Sequence, residues 1–156
     1  MKPISTKGSI IINSDIQTVF NFLSDYRNDP KWRKEINQTS ISTDKMGLGT
    51  LLTEDSFLSK RNPHYISHLK CTEYIPNKAV TCETTSEAKF WAKSSRTVEI
   101  IDTDQTKVTY ELEFDPAIVK FGIGFQLPYF FLNFYTKSVM KDYLAVLKKN
   151  LESSAR

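Results

Sequence analysis

The stretch from Leu127 to Ser153 limits the fold more than any other part of the chain. Pro128 can open a helix there, because the N–H it lacks has no partner in a first helical turn anyway. Phe130, Phe134, Met140, Leu144, Leu147 and Leu151 follow, nearly all three or four residues apart, which is the spacing of one helix face. Lys137 falls on that face as its one charged interruption, and Lys141, Lys148 and Glu152 lie on the other side. At about 1.5 Å per residue the helix runs roughly 40 Å. An apolar stripe of that length needs a long apolar surface to cover it, and the segments before it must supply one.

Those segments read mostly as strands. Thr6 to Ile12 is the first, ending in Ile10-Ile11-Ile12. Asn13-Ser14-Asp15 is helix-capping chemistry, and Ile16, Val19, Phe20 and Leu23 then keep helical spacing. Tyr26 to Glu35 is a second short helix or turn carrying Pro30 and Trp32. Trp32 is either an apolar plug against the sheet or a ligand-lining residue. From Ile36 the expected strands are Ile36–Thr43, Gly49–Leu58, His64–Tyr74, Ala79–Ser86, Ala88–Ile101 and Lys107–Asp115, with turn signals between them. Such a run predicts an antiparallel meander.

Alternation assigns the faces. Val108, Tyr110, Leu112 and Phe114 share one side of the last strand; Phe90, Ala92, Ser94, Val98 and Ile100 share a side of the strand before it. Pairing Ile100 with Val108 places Arg96 on the same inward face, opposite Leu112. A buried charge is costly unless paired, so an inward Arg96 fits a solvated or ligand-holding cavity. A bulge or one-residue slip would instead turn it out toward Glu113. Leu69, Cys71, Val80 and Cys82 form the inward set of a hairpin around Ile75-Pro76-Asn77-Lys78. If that hairpin is symmetric about Pro76 and Asn77, the two cysteines face each other, as reduced thiols or as a cross-strand disulfide.

Between the last strand and the helix, Pro116 to Leu127 is an apolar linker with Gly122 and Gly124. Phe121 to Tyr135 holds Phe121, Phe125, Tyr129, Phe130, Phe131, Phe134 and Tyr135, more than one helix stripe can hide. The surplus is either buried by a loop folding over the open end of the sheet, or it forms an apolar portal or a patch for transient membrane or partner contact.

The 156 residues suit a single domain, 1–156. The net charge of +3 comes from 21 basic and 18 acidic residues spread along the chain, which argues against nucleic acid as a partner. No stretch reaches the roughly 20 apolar residues of a membrane span, and no apolar signal region follows Met1-Lys2-Pro3, so the expected location is cytoplasmic. His64 and His68 are four apart on an expected strand, hence roughly 13 Å apart, too far to share a metal. No phosphate-binding or dinucleotide glycine motif is present, and neither metal nor cofactor is expected.

The order of these features resembles the START-related SRPBCC superfamily, which includes the birch-pollen allergen, lipid-transfer domains and the polyketide cyclase/dehydrase and lipid-transport proteins. The similar residues are Ser9 to Ile12 with Asp15, Val19 and Phe20; Asp25 to Trp32; Gly47-Leu48-Gly49-Thr50; and Thr72 to Lys78. The resemblance implies an α+β helix-grip fold. In it a curved antiparallel sheet of about seven strands wraps a long C-terminal helix, with two short helices after the first strand. It also implies a hydrophobic cavity between sheet and helix, and a ligand such as a lipid, quinone, steroid or polyketide. On this chain the expected lining is Trp32, Leu69, Cys71, Phe90, Tyr110, Phe114, Phe130 and Phe134, with Arg96 or Lys137 at a polar head group. The expected function is binding or transport of that ligand. The alternative is a cyclase or dehydratase using Arg96 and Tyr110, which requires an inward acid–base pair.

Overall fold

Alternating apolar residues build seven strands: β1 (Ile4–Ile12), β2 (Ile36–Ile41), β3 (Leu51–Ser56), β4 (Tyr65–Ile75), β5 (Ala79–Thr84), β6 (Ala92–Asp102) and β7 (Gln105–Phe114). The helices are α1 (Ile16–Ser24), a 3₁₀ helix at Tyr26–Lys31, α2 (Ala117–Ile123) and α3 (Tyr129–Ser154). The computed structural model describes residues 2–154. The strands form one antiparallel sheet in the order β1-β7-β6-β5-β4-β3-β2. The sheet curls into a half-barrel around the long helix, which is the expected helix-grip architecture.

The core lies between sheet, α1 and α3. Met140, Tyr143, Leu144, Leu147 and Leu151 pack against Ile12, Val98, Val108 and Tyr110 and against Val19, Phe20 and Leu23 of α1. Each large apolar side chain buried this way contributes about 1.5–3 kcal/mol. β1 can approach α3 closely because Gly8 has no side chain: a Cβ there would come within 2.9 Å of Leu144 Cδ1 and 3.0 Å of Met140 Cγ. Asp15 caps α1 by accepting from the Thr18 N–H, and Asp25 caps the 3₁₀ helix by accepting from the Arg27 N–H. The far end of α3 is tied down by Lys148, which donates to the Ile11 carbonyl, and by Glu152, which accepts from the Asn13 N–H.

Four expectations need correction. The register between β6 and β7 is displaced by two residues, Val98 pairing with Val108 and Arg96 with Tyr110. A shift of two preserves the faces of Ser94, Arg96 and Val98, but Ile100, expected on the same side, is 63% exposed next to a bulge between Ile100 and Asp102. The strand expected from Ala88 begins only at Ala92, which leaves Phe90 in the loop before it. The expected linker at Pro116–Leu127 contains a helix, α2. Last, the buried seam of α3 begins at Leu132, not at Phe130 and Phe134; both phenylalanines and Lys137 are exposed. Apolar residues surround the first turns of α3, so their periodicity names no unique inward face.

The cysteine register holds for a reason the sequence does not display. A three-residue turn, with Asn77 at φ 57, joins Ile75 to Ala79. That turn alone would misalign the cysteines by one. A bulge between Cys71 and Glu73 restores the pairing of Cys71 with Cys82. Both are buried free thiols.

Candidate functional site

The inward row of β6 is Ser94, Arg96 and Val98, and Arg96 is completely buried. Its Nη1 donates to the Leu23 carbonyl and to Asp29 Oδ1, both at 2.9 Å, and its Nη2 donates to Asp29 Oδ2 at 2.6 Å. Asp29 comes from the 3₁₀ helix and is equally buried. The guanidinium carbon lies 3.7 Å from the Tyr26 ring centre, 4.8 Å from Trp32 and 4.9 Å from Tyr110. Burial opposes the charge on Arg96, but Asp29 and the surrounding phenols hold its pKa above the ordinary arginine value. The outward alternative for this residue is therefore removed.

A second buried cation, Arg33, extends the cluster toward β3 and α3. Its Nη1 donates to Asp29 Oδ2 at 3.1 Å and to Glu54 Oε2 at 3.4 Å, and its Nη2 donates to Glu35 Oε1 at 3.4 Å. The Tyr143 hydroxyl of α3 donates to the same Glu35 oxygen. Burial pushes the Glu54 carboxyl up from 4.5, with Arg33 pulling the other way. Burial likewise pushes the Tyr143 phenol up, against Arg33. Two guanidiniums thus meet three carboxyls.

Four polar atoms of this cluster are buried without a hydrogen-bond partner among the described residues: Trp32 Nε1, Arg33 Nε, Arg96 Nε and the Tyr110 hydroxyl. Three of them can only donate. Leaving such atoms unmatched costs about 1–3 kcal/mol each. Trp32 anchors the group, its ring edge-on to Tyr110 at 5.4 Å and to Tyr143 at 6.2 Å.

Outward from this cluster, Tyr65, Phe90 and Phe121 form an aromatic triangle with ring centres 5.4–6.1 Å apart. It places α2 across the open end of the sheet. The turn at Ser59–Asn62 fixes α2 there: Asn62 Nδ2 donates to the Phe121 carbonyl at 2.9 Å and Ser59 Oγ to the Gly122 carbonyl at 2.5 Å.

The expected residues therefore fall into three groups. Trp32, Arg96 and Tyr110 come together. Leu69 and Cys71 pack around Tyr26 with Leu52, Val80 and Cys82, next to the first group across Arg96 and Tyr74. Phe90 and Phe114 are half-buried near the mouth, while Phe130, Phe134 and Lys137 take no part in the interior. Asp29, Arg33, Glu35 and Tyr143 escaped the sequence reading. Two hollows lie elsewhere. One of about 430 Å³ is lined by Ser40, Thr53, His68 and Thr85, and also by Leu52 and Leu69. Another of about 420 Å³ lies between Arg61, Asn62, Lys120 and Gly124. No group of residues suited to hold a metal occurs among the described residues.

The architecture is that of the START-like helix-grip class. A START superfamily protein from Mycobacterium smegmatis superposes with a TM-score of 0.74 at 12% identity, covering 96% of this chain and 97% of that one. The Zhui aromatase/cyclase from Streptomyces sp. R1128 superposes at 0.73 with 10% identity, covering 99% and 97%. A conserved protein from Geobacillus kaustophilus gives 0.73 at 14%, covering 98% and 97%. No family model matches the sequence, and no curated protein matches it. At these identities the likeness is one of fold.

Proposed function

We propose that the chain binds a small, mostly apolar molecule between the sheet and α3, with a hydrogen-bond-accepting end at the Trp32, Arg33, Arg96 and Tyr110 cluster. The carrying observation is the set of buried donors without partners, Trp32 Nε1, Arg33 Nε and Arg96 Nε, beside the Tyr110 hydroxyl. The arginines already face three carboxyls, so no surplus positive charge is left for an anion. A neutral carbonyl, as in a quinone, ketone or ester, fits better than a carboxylate. The aromatic triangle at α2 closes over the apolar body of such a ligand. A membrane is the natural source of an apolar molecule, and Phe121 to Tyr135 is where this reading puts the contact.

The test is a fluorescence titration of a Trp91→Phe variant, in which Trp32 is the remaining tryptophan. A long-chain methyl ketone should bind about tenfold more tightly than the alkane of equal length, since one or two hydrogen bonds at about 1 kcal/mol each separate them. Equal affinity would remove the polar end from the account.

A second reading, an enzyme of the cyclase or dehydratase kind, gains from the acid–base groups of the interior. Glu54, its pKa raised by burial, is 3.4 Å from Arg33. In that reading Glu54→Gln binds a polyketone but does not turn it over; unchanged turnover would end it.

A further inference from the structure

The first turns of α3 and the loop before it expose Phe125, Tyr129, Phe130, Phe131, Phe134 and Tyr135 together. Phe130 is 68% and Phe134 76% exposed, and Phe130 stacks on Phe131 at 4.5 Å. At 3.6 residues per turn, positions 130, 131, 134 and 135 share one helix face, opposite the buried seam. A contiguous aromatic surface of this kind marks an interaction site. No helix among the described residues is long and apolar enough to cross a membrane.

Along the stretch that carries the patch, between Asp115 and Asp142, the charge has one sign. From Pro116 to Lys141 there is no aspartate or glutamate, while Lys120, Lys137 and Lys141 are present and exposed. The hollow of about 420 Å³ beside α2 is lined by Arg61 and Lys120, with no carboxylate in its lining. Arg61 passes under Gly124, which has φ 87 and where any side chain would collide with the guanidinium. Phe125, the next residue, is exposed. A two-cation cleft thus adjoins the aromatic face.

We propose that this face docks on an anionic phospholipid bilayer. The rings of Phe125, Phe130, Phe131 and Phe134 enter the headgroup–acyl boundary, and Arg61 and Lys120 hold lipid phosphates. Charge complementarity selects this partner. A second copy of the chain would set the same cations against each other, and a convex helix face offers no groove for a peptide. The inference deepens the membrane contact named in the proposed function, yet it does not depend on what the interior binds.

The test is co-sedimentation with vesicles of phosphatidylcholine alone and of phosphatidylcholine mixed with phosphatidylserine. The parent should pellet with the mixed vesicles, and less as salt is raised. Arg61→Ala with Lys120→Ala should weaken that binding about thirtyfold. Phe130→Ser with Phe134→Ser should weaken it at least tenfold. Both pairs are exposed, so thermal melting should stay within a few degrees of the parent and report intact folds. No pelleting by the parent, or equal pelleting with both vesicle types in every variant, would overturn the proposal. So would a concentration-dependent dimer on gel filtration that Phe130→Ser with Phe134→Ser abolishes. The ketone titration uses no vesicles, so either result can fail without the other.

Discussion

Arg96 and Asp29 can be buried together because each answers the other's charge, and the two are not equivalent. Among the described residues Arg96 has Asp29 as its single carboxylate, whereas Asp29 also pairs with Arg33. Removing Asp29 leaves Arg96 without a carboxylate while Arg33 keeps Glu35 and Glu54; removing Arg96 leaves Asp29 with Arg33. Asp29→Asn should therefore destabilise the fold by about 3–5 kcal/mol, and Arg96→Met by clearly less. Urea denaturation measures both, and an equal or reversed order would contradict the pairing. Glu54 contributes a pH dependence of known sign. Its folded pKa lies above the ordinary 4.5, so the folded state binds more protons than the unfolded one just above that pH. Its contribution to stability is full at lower pH and is lost as pH rises from 4.5 through the raised value. Relative to the parent, Glu54→Gln should gain stability as pH rises across that window. A flat difference would place Glu54 in water.

At the scale of elements, α3 lies close to β1 because Gly8 leaves room for Leu144 and Met140. Gly8→Val should cost about 1–3 kcal/mol through overpacking, and Gly8→Ala less, read as shifts in the urea midpoint. A neutral Gly8→Val would mean that α3 is free to move. The elements were largely legible from sequence. Alternation marks the strands, and Asp15 before Ile16 marks the start of α1. The register of β6 on β7 was not, because a two-residue turn at Thr103 and Asp104 shifts it by one and a bulge between Ile100 and Asp102 by one more. Nor was the seam of α3, where Phe130, Phe131 and Phe134 outweigh Leu132 in hydrophobicity but lose to it in position. The site was legible only in part. An inward Arg96 follows from alternation, but its partner is 67 residues away, and no local pattern reports such a contact. Arg33 and Glu35 read as ordinary surface charges until the 3₁₀ helix and β3 are set beneath α3.

For the molecule as a whole, a half-barrel sheet and α3 make an interior with two ends. One end holds buried donors without acceptors; the other is closed by α2 and its aromatic triangle. In the proposed function a bound ligand spans the two ends, and it should stabilise the folded state increasingly as its concentration rises. The most direct measurement is native mass spectrometry of the gently purified protein, before and after mixing with a total lipid extract, alongside its denatured mass. The account predicts a one-to-one adduct released on denaturation, rich in hydrocarbon and carrying a carbonyl oxygen. Its occupancy should fall severalfold in Tyr110→Phe, which removes one unpartnered hydroxyl. The bare chain mass in every mixture, or equal occupancy in parent and variant, would contradict it.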